Sequence, residues 1–159
     1  MQASVQGSMR RMRIFRRGDD MRQAAKHLHE HDEQPHQMGR RKHYANQART
    51  LVGIPYRRGG RSISGIDCFG LVAMAYLLLD VKLKDPLEDD EGADSQWEIV
   101  TGGMDEWRPW DVLSIGPAPT SHIALYLGNG EVLAAEEGPG VIIYSIDESK
   151  VSCCLRCVE

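Results

Sequence analysis

The chain has 159 residues, 42% of them hydrophobic and 26% charged, and a formal net charge of −4. That length and balance suit one folded domain with a real core plus an appendage, and exclude a low-complexity or fibrous chain. The longest apolar run is about half of what a membrane span needs.

The charge is unevenly placed. Residues 1–43 carry ten Lys/Arg against five Asp/Glu, and residues 44–159 carry nine against eighteen. A basic arm over 1–42 therefore precedes an acidic domain over 43–159. Within the arm, Met1 to Asp20 has arginines but no apolar core segment, so no secretory signal peptide is expected. Met21, Ala24, Ala25 and Leu28 recur at helical spacing and predict a short helix over 21–33, broken by Pro35 and Gly39. His27, His29 and His31 would not share a helix face, so a surface role is expected rather than a metal site. The basic run Arg10 to Arg17 contains one aromatic residue, Phe15. Partner subunits fit it better than nucleic acid, which would call for stacking aromatics.

Tyr44, Ala48, Leu51 and Val52 make one helical face that Gly53 ends. A loop through Pro55, Tyr56, Gly59 and Gly60 then reaches Asp67-Cys68-Phe69-Gly70, followed by the apolar run Leu71 to Leu79. Asp67 is a natural N-cap, which sets Cys68 on the first turn, where orphan N–H groups and the helix dipole favour a thiolate. That helix is apolar on nearly every side and should be buried. From Asp80 to about residue 109 the chain reads as an acidic connection. Glu88 to Glu91 within it reads as a solvated face.

From Asp111 the period becomes two. Strands are expected over Val112–Ile115, His122–Leu127, Glu131–Glu136, Val141–Ile146 and Val151–Val158, with Gly128-Asn129-Gly130 as a hairpin turn. Helices first and an antiparallel meander afterwards make an α+β domain. Cys153 and Cys157 are expected to share one strand face with Val151 and Leu155. Cys153, Cys154 and Cys157 read as small core residues, reduced and not metal-bound. No cofactor is called for.

A thiol at a helix tip needs a base, and His122 is the one histidine inside the folded body. A Cys on a helix with a His on the facing sheet is how residues distant in sequence build a thiol nucleophile. A buried structural cysteine and a satisfied strand histidine fit the same residues.

Several motifs in order resemble NlpC-type cell-wall cysteine peptidases. They are Pro55-Tyr56 with Gly59-Gly60, Asp67-Cys68-Phe69-Gly70-Leu71-Val72, Trp110-Asp111-Val112-Leu113, and Ser121-His122 through Gly130. The likeness covers roughly residues 44–146. It implies a papain-like fold that hydrolyses peptide bonds in peptidoglycan stem peptides. Cys68 would be the nucleophile and His122 the base, with Tyr56 and Asp67 at the substrate cleft. The acidic side chain there would pair with a stem-peptide amine.

Two departures from the family pattern matter. Phe69 replaces a serine, which looks more like the branch found in bacteriophage tails. That branch implies a protein made in the cytoplasm, carried on the virion and joined to other tail proteins through its basic arm. Ala134 stands where the family places a polar residue that orients the imidazole. Glu136, two residues on, is the candidate substitute, but from there it would reach back about 7 Å at roughly 3.4 Å per residue. A slow or lost activity, leaving a structural tail protein, is the alternative. An acyltransferase on the same fold would share Cys68 and His122.

Overall fold

The computed structural model describes residues 44–117 and 122–158. The basic arm, with its helix expected over 21–33, lies outside the described residues. The chain enters through a helix α1 (44–48) that tightens into a 3₁₀ turn at Arg49–Leu51. Ala45 and Ala48 bury its inner face. Gly53, at φ +97°, ends it. Val52 does not join that face: it is the extended cap residue, 46% exposed.

Two small strands, β1 (Arg61–Ser62) and β2 (Gly65–Ile66), form a tight ribbon ahead of helix α2 (Cys68–Leu77). Leu71, Val72, Ala75 and Tyr76 are at most 1% exposed, because α2 is apolar all round and has core on most sides. Burying a Leu or Val of this kind contributes about 1.5–3 kcal/mol. Its most exposed residue is Leu77, at the C-terminal end. Tyr76 anchors that end, donating its hydroxyl to the Trp110 carbonyl at 2.5 Å. Its ring meets Trp110 edge-on at 5.5 Å.

The remaining elements are helix α3 (Asp90–Ser95) and strands β3 (Trp97–Val100), β4 (Val112–Ile115), β5 (His122–Gly128), β6 (Glu131–Glu136), β7 (Gly140–Ser145) and β8 (Val151–Cys157). Strands β3 to β8 form one antiparallel six-stranded sheet in the order β3-β8-β4-β5-β6-β7. Helix α2 packs against β5 and β6. The domain is therefore α+β, with the cysteine helix laid on an antiparallel sheet.

Two expectations change. The acidic connection is not structureless: α3 and β3 lie inside it, and β3 takes the sheet edge beside β8. Four residues with a partner more than fifty positions away leave no periodic signal. For the same reason the sheet is not a plain meander, since β8 returns to lie between β3 and β4. The register of β4 and β8 also shifts between Ser114 and Ile115. That bulge turns Val151 to the opposite core cluster from Cys153, Leu155 and Cys157, because a one-residue slip reverses the faces.

The Trp110-Asp111 pair locks β4. Trp110 is fully buried at φ +79°, held there by a bond from its N–H to the Tyr126 carbonyl at 2.9 Å. Asp111 is completely buried and accepts from Arg156 Nε at 2.9 Å and Nη2 at 2.7 Å, and from the Arg108 N–H at 2.8 Å. A buried carboxylate is tolerated because its oxygens are met in this way.

Candidate active site

Cys68 is the first residue of α2 and is partly exposed. Asp67 caps the helix as its residue type predicts, accepting from the Gly70 N–H at 2.7 Å. Gly70 is required for a different reason. A Cβ there would lie 2.3 Å from the Gly60 carbonyl oxygen, so only glycine lets the preceding loop close over the first turn.

That loop also supplies Arg61. Its Nη1 meets Asp67 Oδ1 at 2.6 Å, and its Nε meets Asp85 Oδ2 at 2.5 Å. The guanidinium stands 5.4 Å from the centre of the Phe69 ring, a cation–π distance. The other Asp67 oxygen accepts from the Gly59 N–H at 3.2 Å. Asp67 is thus 5% exposed and bonded inward, where the sequence suggested an acid facing substrate. No sequence signal pointed to Arg61, because its partners Asp67 and Asp85 flank a helix and meet only in the fold.

His122 opens β5, within hydrogen-bonding reach of the Cys68 thiol. Its Nε2 is sealed from solvent and lies 3.1 Å from Glu136 Oε1. This is charge-pair distance, although off the line a strict N–H···O bond requires. With Nε2 turned to Glu136, Nδ1 is left to serve the thiol. Burial, the largest single influence on the imidazole, lowers its pKa. The hydrogen bond and charge of Cys68 and the carboxylate of Glu136 together outweigh that and raise it. The charged imidazolium is therefore favoured at this position.

The register explains why Glu136 needs no long reach. Leu125 pairs with Leu133 and Tyr126 with Val132. Carried along the ladder, that pairing sets Ala124 opposite Ala134 and His122 opposite Glu136. Directly opposed side chains stand about 4.5–5.5 Å apart at Cβ. Glu136 is thus the cross-strand neighbour of the histidine, and the 7 Å reach expected from aligning Ala134 with the family position does not apply. Glu136 also takes a hydrogen bond from Tyr144, whose phenol pKa is raised by burial first and then by the Glu136 charge.

Tyr56 completes the group. It bridges to Ile66, two residues before the cysteine. Burial raises its phenol pKa most, followed by the charges of Cys68, Asp67 and Glu137. Cys68, His122 and Glu136 therefore lie together, with Tyr56 near enough to feel the charge of the thiol. Among the described residues no group of three or more His, Cys, Asp or Glu has the geometry to hold a metal, and no helix is long and apolar enough to cross a membrane.

The NlpC/P60 family model matches residues 53–158. The chain belongs to the NlpC/P60 family. Dipeptidyl-peptidase 6 of Lysinibacillus sphaericus is 36% identical over 109 residues, covering 68% of this chain and 37% of that protein. Peptidoglycan endopeptidase RipB of Mycobacterium tuberculosis is 29% identical over 112 residues, covering 62% of this chain and 44% of that protein. The chain thus spans less than half the length of these curated relatives. In fold it is similar to RipD of M. tuberculosis, a non-catalytic NlpC/p60 domain protein adapted to peptidoglycan binding. The TM-score is 0.57 at 22% identity, covering 75% of this chain and 98% of that one. The papain-like α+β architecture of this NlpC/P60 domain agrees with the order of elements described above.

Proposed function

We propose that this NlpC/P60 domain is a cysteine peptidase that hydrolyses peptide bonds in peptidoglycan stem peptides. The carrying observation is the juxtaposition of Cys68 at the tip of α2, His122 on β5 and Glu136 directly across on β6. The peptidoglycan endopeptidases among the chain's relatives support the substrate class.

In this reading the Cys68 thiolate attacks the scissile carbonyl carbon. Negative charge develops on the carbonyl oxygen, and the backbone N–H of Cys68 at the positive end of α2 stabilises it. The His122 imidazolium gives its proton to the leaving amine, and a thioester remains. Neutral His122 then takes a proton from water as that water attacks the thioester, releasing the acid and the Cys68 thiolate and restoring the thiolate–imidazolium pair. Glu136 holds the ring by its Nε2 edge and stabilises its charge. Tyr56 contacts substrate.

We place the protein in the tail of a phage or phage-derived particle, made in the cytoplasm, with its basic arm against other tail proteins. The aromatic Phe69 after the nucleophile and the charge contrast between arm and domain support this. RipD, a non-catalytic relative in fold, motivates the second reading, a structural or peptidoglycan-binding protein. Retention of Cys68, His122 and an opposed carboxylate favours the enzyme.

The test is incubation of defined muropeptides with the protein and with Cys68→Ala, followed by mass spectrometry. Cleavage that vanishes in the variant is expected. Its absence with both proteins, across several stem-peptide types, would move the reading to the structural role.

A further inference from the structure

Both chain neighbours of Cys68 touch the same guanidinium. Arg61 Nη1 donates to Asp67 Oδ1 at 2.6 Å, and the charged group stands 5.4 Å from the centre of the Phe69 ring. Its other nitrogens are anchored elsewhere: Nε donates to Asp85 Oδ2 at 2.5 Å and Nη2 to Asp85 Oδ1 at 3.2 Å. Asp85 is itself fixed, since its Oδ1 also accepts from the Leu87 N–H at 2.8 Å. The Gly60 carbonyl accepts a further bond from Nη1 at 2.9 Å and another from the Asp67 N–H at 3.3 Å. With Nε and Nη2 held by Asp85, Nη1 is the part of the cation presented to Asp67.

Asp67 has two opposed effects on its neighbour. As the N-cap it satisfies the first turn of α2, accepting from the Gly70 N–H. As a carboxylate next in the chain to Cys68 and only 5% exposed, it sets a negative charge against any thiolate there. Little water is present to screen that charge. His122, which reaches the sulfur from β5 with Glu136 behind it, acts in the opposite sense, and the Tyr56 phenol lies near from the preceding loop. Arginine is protonated throughout the pH range of a working enzyme, so Arg61 offsets Asp67 whatever the state of His122.

We propose that Arg61 is a positioning residue for the nucleophile: it lets Asp67 cap α2 as a carboxylate while offsetting the charge that would oppose a Cys68 thiolate. The proposal rests on Cys68 being the reactive thiol of the peptidase reading and on no particular peptide bond. Phe69 contributes by holding the cation against the first turn.

The test is the rate at which iodoacetamide alkylates Cys68 in the full chain, read by peptide mapping at pH 7 and pH 9.5. Arg61→Gln should slow alkylation about tenfold at pH 7 and less than about twofold at pH 9.5, where a thiol ionises without help. Arg61→Lys, which keeps the charge, should stay within about threefold of the unsubstituted protein at pH 7. Asp67→Asn still caps the helix and should speed alkylation at pH 7 about threefold. Combined with Arg61→Gln it should restore the unsubstituted rate, which a merely structural role for Arg61 would not allow. An unchanged rate in Arg61→Gln, a loss that Asp67→Asn fails to restore, or slower alkylation in Asp67→Asn alone overturns the proposal. The last comparison keeps Arg61 and its anchors, so it decides the matter even where Arg61→Gln does not fold. Muropeptide cleavage by the unsubstituted protein separates the two readings. Cleavage with alkylation indifferent to Arg61 removes this proposal alone, whereas the expected alkylation pattern without cleavage removes the peptidase reading alone.

Discussion

The four cysteines form no disulfide with one another, and they divide into one at a helix tip and three in a strand. Cys68 is partly exposed, stands on the first turn of α2 and faces a histidine. Cys153, Cys154 and Cys157 are 8%, 4% and 6% exposed, along β8. Burial alone pushes the Cys153 thiol up to about 12. Burial again, then the charge of Asp111, pushes Cys154 up strongly. The difference lies in what surrounds each sulfur: an imidazole and a helix N-terminus in one case, apolar packing and a buried carboxylate in the other. Reactivity at these sulfurs is a property of placement.

Removing the reactive sulfur is the most severe way to break this contrast. Cys68→Ala should abolish hydrolysis, a loss of at least about 10⁴ in kcat, with the melting temperature nearly unchanged. A chemical test of the same contrast uses iodoacetamide at pH 7. Cys68 should be alkylated about a thousandfold faster than the three β8 cysteines, and denaturation should erase the difference. Peptide mapping by mass spectrometry reads this directly, and comparable labelling of Cys153 in the native protein would contradict it.

Glu136→Gln tests what holds the base. The variant keeps the shape of the side chain but removes the charge that helps raise the His122 pKa. We expect kcat to fall about 10²-fold, as when the carboxylate that orients a functional imidazole is lost, and the alkaline limb of the pH–rate profile to move to lower pH. The sign for stability follows. A histidine raised in the folded state contributes stability that is full below its unfolded pKa and disappears as pH rises through the folded value. In Glu136→Gln that contribution should be smaller and be lost completely at lower pH, which thermal melts between pH 5 and 9 would show.

The smallest effect belongs to the structural sulfurs. Cys153→Ala removes a buried atom from the core under α2 and should cost about 1–2 kcal/mol of stability with kcat unchanged. A kinetic effect without loss of stability would mean that β8 takes part in the site.

Much of this site was legible along the chain. Asp67 announced a helix start and Cys68 its tip, because capping chemistry is local. His122 stood out as the histidine in the strand-forming body. Asp67 was expected at the substrate cleft, and only the fold shows it bonded to Arg61, six residues before it, which Asp85 also holds. The third member was harder still. Comparing positions by sequence offset made Ala134 the expected neighbour of the base, whereas pairing across a hairpin obeys a constant sum of residue numbers, which the turn and its bulge determine.

Sequence alone determined the helix cap, the positions of five of the sheet strands, the candidate nucleophile and base, and the α+β class. Each of these depends on neighbours within a few residues or on a repeat of two or 3.6. Tertiary structure decided the rest. It set β8 between β3 and β4, opposed Glu136 to His122 and turned Asp67 inward onto Arg61. Those outcomes depend on register and on contacts between segments far apart in the chain. No local pattern encodes them, because a side chain's chemistry includes partners that only folding brings within reach.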